Sequence, residues 1–428
     1  MFDRGLYQHF FKPCGDIALV RHLPKPITAN HSQTVDALRG FALLGIFVVN
    51  IQSYLWGLTG PMMGVIDANS SVWDSVALLL VATVFEYKTY PIFCFCFGYG
   101  FAVLARKWRI LGVNGEEYFA RRLNFMLVLG LLHGTIIWFG DILARYAIAG
   151  FVLKRSISKG PRTNWKRFKF WFAFHIGLSV FLLLVGLIAA LSTQYFPLPE
   201  TNTETTRAAM HAANVVYRTA DYFAQTEQRL SDYFGVLLSA VFLIPAMMSL
   251  FLLGALAAQT RVLTLAHLPR FKAFWRQIAL ATFAIGMPLS IAYGYLQLQA
   301  ARDESPLRTA VISILGEFGP VLAIGYIAVI ALQARAAEHS APWLYRLFAP
   351  AGRMALTIYI SQSILMMIFL NGFFPAITYP YRDSQLGLLG LSLACYAGLL
   401  AIAHVFARYQ LQGPLETLWR RHTNQPTN

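Results

Sequence analysis

The sequence predicts an all-α membrane protein, a polytopic helical bundle of about ten transmembrane spans with both termini in the cytoplasm. Three observations predict it. Of 428 residues, 57% are hydrophobic and only 13% are charged. The apolar residues come in blocks of about twenty, the length of a helix that crosses a bilayer. The formal net charge of +15 is carried by short segments between those blocks, and the Lys and Arg favour every second segment, starting with the N-terminal tail. That bias sets orientation. It also argues against a nucleic-acid partner, because the charge is divided among loops rather than gathered on one face.

Residues 1–33 are polar and contain proline, and the apolar block that follows has no small-residue cleavage site, so they read as an uncleaved cytoplasmic tail. The expected crossings lie near 38–58, 73–105, 120–139, 141–154, 168–192, 235–258, 275–297, 309–332, 354–375 and 387–408. Residues 73–105 are read as one crossing, broken or re-entrant near Lys88–Pro91. Two crossings split at "EYKTYP" would put the basic segment around Arg106, Lys107, Arg109, Arg121 and Arg122 outside; an eleven-span chain is the alternative. Residues 193–234 turn from Thr- and Asn-rich to Ala-rich and predict a surface helix or two over the outer face. One transmembrane domain, 34–421, results, with an N-terminal part to 192, the outer segment 193–234, a C-terminal part from 235, and a short tail, 422–428. Cys14, Cys94, Cys96 and Cys395 show neither metal-ligand spacing nor a disulfide framework, so no metal is expected. "FGYG", residues 97–100, reads as small-residue helix packing rather than an ion filter.

Function is to be sought among the ionisable groups in the apolar blocks, each of which costs about 2.5–3.5 kcal/mol at the centre of a span. Asp36 and Arg39, three residues apart, share a helix face and predict a local ion pair. Asn50 lies about 16 Å further along the same face. Glu86 and Lys88 sit at the break in the second block. In "LLHGTIIWFGDILARYAIAGF", residues 131–151, Gly140–Ile142 reads as a tight outer turn. There Asp141 either caps the next helix and pairs with Arg145, or orients His133 as a general base facing a cavity. Glu317, about 12 Å into its span beside Gly316, Gly319 and Pro320, marks a helix break. It is either a proton, cation or substrate site or the partner of Arg145 or Lys88. His175 and His404 lie in spans without adjacent carboxylates in the sequence.

Five stretches, "VDALRGFALLGIFVVNI", "YPIFCFCFGYGFAVLARKW", "RRLNFMLVLGLLHGTIIWFGDILARYAIAGF", "APAGRMALTIYISQSIL" and "GPLETLWR", together resemble the YeiB family of bacterial inner-membrane proteins, whose C-terminal half is domain-of-unknown-function family 418. That family is in turn similar to transmembrane acyltransferases, among them acyltransferase family 3 and the heparan-glucosaminide acetyltransferase. The resemblance implies transfer of an acyl group from cytoplasmic acyl-CoA to a small-molecule or glycan acceptor outside. Membrane lipid would surround the protein, and a homo-oligomer is compatible. Carried over residue by residue, Arg39 is the motif arginine and, with Lys88 and Arg353, would bind the donor's phosphates. Asn50 stands where acyltransferase family 3 has its catalytic histidine, so the implied base is His133, oriented by Asp141 or Glu317, with Asn50 on the thioester carbonyl. The competing class is a proton- or ion-coupled transporter using the same groups as a relay.

Overall fold

The computed structural model describes residues 28–58, 71–113, 115–156, 159–195, 201–219, 221–300, 306–334, 341–371 and 384–423. The expected tails lie wholly or largely outside these. Among the described residues every regular element is helical. Seven helices are long and apolar enough to cross a membrane, or eight if one sharply bent pair is a span.

The first long helix, α1 (Thr28–Asn50), runs through the middle of the bundle, followed by the single turn α2 (Ser53–Trp56). Helix α3 (Val72–Val84) starts at Ser71, whose hydroxyl accepts from Asp74 N while the Asp74 carboxylate accepts from Ser71 N, a reciprocal cap of two orphan donors. Its chain breaks at residues 85–88, where Tyr87 has φ 59°, and resumes as α4 (Thr89–Ile110). The two run on as one 39-residue candidate span, as the single-crossing reading has it. Against about 30 Å of hydrocarbon, that length leaves the basic end, with Lys107 and Arg109 in its last turn, beyond the apolar layer.

Two expected crossings differ. Residues 120–139 and 141–154 are instead α5 (Gly115–Leu132), a π-turn (His133–Ile137) and the twelve-residue α6 (Leu143–Lys154). Neither helix meets the length and composition of a span. Helix α5 spends its start on Glu116, Glu117, Arg121 and Arg122, and α6 is half the length a bilayer needs.

Helix α7 (Pro161–Tyr195) has none of its apolar window buried in protein. A helix apolar on all sides but unburied faces lipid. The outer segment forms α8 (Thr201–Arg218) and the start of α9 (Tyr222–Gln259). The second outer helix is thus continuous with a span rather than separate from it. Asp221 caps α9 by accepting from Phe223 N and Ala224 N. Tyr217 of α8 donates to Asp232 of α9 at 2.8 Å. Burial, and then Asp232, hold that phenol well above its usual range, so Tyr217 is the donor of the pair.

The remaining helices are α10 (Pro269–Ala300), α11 (Pro306–Glu317), α12 (Gly319–Leu332), α13 (Trp343–Arg353), α14 (Ala355–Leu370), α15 (Gln385–Arg408) and α16 (Pro414–Thr423). Helices α13 and α14 meet at 79°. The core gathers where backbones touch. A Cβ on Gly98 would lie 1.9 Å from Phe251 O, one on Gly254 2.0 Å from Phe95 O, and one on Gly352 1.7 Å from Asp36 O. Lipid offers no hydrophobic drive between helices, so this close van der Waals approach is what binds α4 to α9 and α13 to α1. It is also the role of Gly98, the first glycine of "FGYG".

Candidate active site between two cavities

The wall of the site is built first by α1. Arg39, at the midpoint of α1, lines a cavity of about 230 Å³. Asn50, eleven residues on, lines another of about 560 Å³. The smaller cavity opens at the basic end of the bundle. Arg39, Arg122, Arg353 and Arg420 converge on it among Phe93, Phe97, Phe101 and Trp419. Arg122 stacks on Trp419 with its guanidinium 3.9 Å from the ring centroid. Asp36 pairs with Arg39 at 3.2 Å as the spacing predicts. Glu416 lies in the wall, but its carboxylate is taken by the start of α14: it accepts from Leu356 N at 2.7 Å, Thr357 N at 3.1 Å and the Thr357 hydroxyl at 2.6 Å. The basic cavity therefore keeps a surplus of guanidinium groups, the side chain best matched to phosphate.

The larger cavity has a mainly apolar wall set with polar groups, and it is not basic. Asn50, Ser53, Glu86, Gln297, Ser313 and Arg145 line it with Tyr87 and Tyr90. Tyr359 belongs to both cavities and so stands in the wall between them.

Beside Tyr359 lies the pair from "LLHGTIIWFGDILARYAIAGF". His133 Nδ1 is 2.9 Å from Asp141 Oδ1, and both side chains are fully buried. The other carboxylate oxygen of Asp141 accepts from Ala144 N at 2.7 Å, so one aspartate both caps α6 and holds the histidine. The two readings that the sequence left open are here the same geometry. With Asp141 accepting, His133 Nδ1 is the donor, and Nε2 has no hydrogen-bond partner. The His133 ring is 5.1 Å from that of Tyr359, and the Tyr359 hydroxyl accepts from Ile142 N at 3.2 Å. His133 lines neither cavity, contrary to the expectation of a histidine facing one.

The π-turn fixes this position. A five-residue turn leaves carbonyls aimed outward, and the fully buried Arg229 of α9 donates to Ile136 O and, at 3.5 Å, to Thr135 O. Tyr222 donates to Ile136 O at 2.9 Å. In sequence Arg229 sits in a polar, helix-forming stretch that reads as solvated, and nothing local gives it away.

Three further expectations are corrected. Arg145 forms no ion pair with the Asp141 carboxylate; its Nε donates to the Asp141 backbone carbonyl at 2.9 Å, the carboxylate being already taken. Lys88 does not join Arg39 and Arg353. It is buried in the helix break, donates to Ala82 O at 2.8 Å and lies over the Tyr293 ring, because the breaking turn aims it away from the basic end. Glu317 reaches neither Arg145, Lys88 nor His133; it pairs with His175 Nε2 of α7 at 3.1 Å. That bond also gives His175 the carboxylate its own sequence neighbourhood lacks. Arg122, Arg420 and Trp419 complete the basic cavity; they lie in the quoted stretches "RRLNFMLVLGLLHGTIIWFGDILARYAIAGF" and "GPLETLWR", but nothing in the sequence assigned them to the site.

This is a multi-pass helical membrane protein with a buried polar site between two cavities. The chain carries a DUF418 region and is similar to the bacterial proteins YeiB and YxaH over most of its length. Residues 257–426 match the family described as "Protein of unknown function (DUF418)". The chain is 27% identical to the uncharacterized protein YeiB of Escherichia coli (strain K12), covering 91% of this chain and 95% of that protein. It is 25% identical to the uncharacterized protein YxaH of Bacillus subtilis (strain 168), covering 94% and 96%. An uncharacterized 39.9 kDa protein from Bacillus acidopullulyticus is 28% identical over 91% of this chain and 93% of its own length. No solved structure matches.

Proposed function

We propose that the protein is a transmembrane acyltransferase of the bacterial inner membrane, taking an acyl group from cytoplasmic acyl-CoA and delivering it to a hydroxyl- or amine-bearing acceptor at the outer side. One observation carries the reading: an arginine-rich, aromatic cavity at the basic end and a polar cavity at the other end share a single wall, at Tyr359. The positive-inside bias makes the basic end cytoplasmic. There Arg39 and Arg353, with Arg122 and Arg420, hold the donor's phosphates by charge and bidentate geometry.

In the transfer step, His133 Nε2 takes the acceptor's proton and the acceptor's oxygen or nitrogen attacks the thioester carbonyl carbon. Asn50 steadies the oxyanion, the carbon–sulfur bond breaks, and the departing thiolate receives the proton from the imidazolium. Asp141 holds the tautomer throughout, as the carboxylate of a catalytic triad does. The π-turn must open beside Tyr359 for His133 to meet both substrates, so catalysis on this reading is coupled to movement of residues 133–137.

The test uses the purified full chain in detergent with acetyl-CoA and a longer acyl-CoA. Calorimetry is expected to give binding that weakens about tenfold, or about 1.4 kcal/mol, in Arg39→Ala. His133→Ala, checked for an intact thermal transition, is expected to bind donor and lose acyl transfer. Absence of acyl-CoA binding by the wild type overturns the reading.

A proton-coupled transporter is favoured by a different observation. Two broken spans touch, since a Cβ on Gly319 at the α11–α12 break would lie 2.5 Å from the Tyr87 carbonyl in the α3–α4 break. Contacting breaks in a membrane create sites for ions. Proton-driven uptake in vesicles that disappears with Glu317→Gln, with no acyl-CoA binding, would select it.

A further inference from the structure

The outer side of α11 carries a feature that the transfer step does not use. Thr309, Ser313 and Glu317 recur every four residues, which places them along one side of the helix, and all three are exposed. Thr309 and Ser313 line the polar cavity. Glu317 lies nine residues inside the candidate span that begins at Arg308, roughly 14 Å along the helix. A polar stripe thus leaves the cavity and runs into the bilayer.

At its inner end Glu317, 45% exposed, pairs with His175 of α7. The flanking residues are apolar and equally open: Phe318 beside Glu317, Phe174 and Ile176 beside His175. A carboxylate held at the lipid-facing surface is costly unless something polar meets it there. Neither water in bulk nor a lipid tail fits a polar stripe bordered by exposed phenylalanines. An amphiphile does, its headgroup on the stripe and its chain against α7.

We infer that the seam between α7 and α11 is a lateral access path by which a membrane-borne amphiphile with a hydroxylated, non-anionic headgroup reaches the polar cavity. The headgroup class follows from what lines the way. Thr309 and Ser313 present hydroxyl oxygens, that of Ser313 donating to Thr309 O at 2.9 Å, Gln297 and Asn50 present amides, and Glu317 a carboxylate at the entrance that would repel a phosphate; the one cation among the described residues lining the cavity, Arg145, already donates to the Asp141 carbonyl. Tyr87, half-exposed with a left-handed backbone, stands where the seam meets the cavity and packs against Gly316. The inference rests on the transfer reading only in making this amphiphile the acceptor; binding along the seam stands independently of turnover.

The experiment is photolabelling of the full chain in nanodiscs with a dodecyl glucoside bearing a diazirine next to the sugar, followed by peptide mapping. Labelling is expected in α11 around Ser313 and in α7 around His175, suppressed by excess dodecyl glucoside and not by methyl glucoside. Ser313→Leu, a substitution at an exposed intramembrane position that leaves packing intact, is expected to remove most of the label from both helices. Label spread evenly over all lipid-facing helices, or competed equally by methyl glucoside, overturns the lateral path. Specific labelling without acyl-CoA binding leaves the path standing and removes the transfer reading. Acyl-CoA-dependent acylation of methyl glucoside without labelling of α11 does the reverse.

Discussion

Two histidine–carboxylate pairs lie among the described residues, chemically alike and physically opposite. His133–Asp141 is bridged at 2.9 Å with both side chains wholly enclosed, whereas His175–Glu317 is bridged at 3.1 Å with the histidine 15% and the glutamate 45% exposed. The first is knitted into backbone: Asp141 also caps α6, and Arg229 and Tyr222 tie down the carbonyls of the neighbouring π-turn. The second joins the surfaces of two helices. Enclosure turns an ordinary pair into a structural keystone, while exposure leaves one free to exchange its partner for a ligand.

The largest effect should follow from breaking the enclosed pair. Asp141→Ala leaves His133 Nδ1 and Ala144 N without an acceptor, and denaturant titration in detergent should show a loss of about 3–5 kcal/mol; a change under about 1 kcal/mol would mean that the pair is not load-sharing. Next comes Arg229→Ala, which strips the π-turn carbonyls of a charged donor and should cost about 1.5–3 kcal/mol by the same titration.

The glycines beside the two pairs sharpen the contrast. A Cβ on Gly130 would meet Ala144 N at 2.3 Å and Asp141 Oδ2 at 2.6 Å, but one on Gly316 would make only ordinary contact with the Tyr87 ring at 3.4 Å. Gly130→Ala should therefore destabilise by about 1–3 kcal/mol, and Gly316→Ala should be neutral or gain about 0.5–1 kcal/mol from helix propensity. Thermal unfolding of the two variants side by side checks it, and equal losses would erase the distinction. A comparably small effect is expected for Glu317→Gln, about 0.6 kcal/mol, the mean for an interhelical hydrogen bond in a membrane. Its consequence should show in the labelling of α11 instead.

Much of the architecture was legible. Apolar blocks announced the helical membrane class and the basic segments their alternation; a break in the second block was expected near Lys88–Pro91, but it falls at residues 85–88, and Tyr90, the residue before Pro91, is helical. The π-turn was not legible, because "HGTII" has nothing in its composition to separate it from the α-helix it interrupts; packing against Tyr233, Tyr222 and Arg229 decides it. Nor was the size of α6, since a twelve-residue helix and a short crossing look alike along the chain.

The site divides in the same way. The sequence alone determined which groups the apolar layer had to accommodate, because an ionisable side chain in a hydrophobic block is visible whatever it touches: Arg39, Lys88, His133, Asp141 and Glu317 were all identifiable. Local spacing went further where partners lie within one or two helical turns, as for Asp36 with Arg39. Only the tertiary structure decided the rest. It brought Arg122 and Arg420 to Arg39 from segments far apart in the chain, turned Lys88 away from them, gave Glu317 to His175 across 142 positions of sequence, and sealed His133 while leaving Glu317 open. The reason is that a charge's presence is a property of the chain, but its partner and its exposure belong to the helices packed around it.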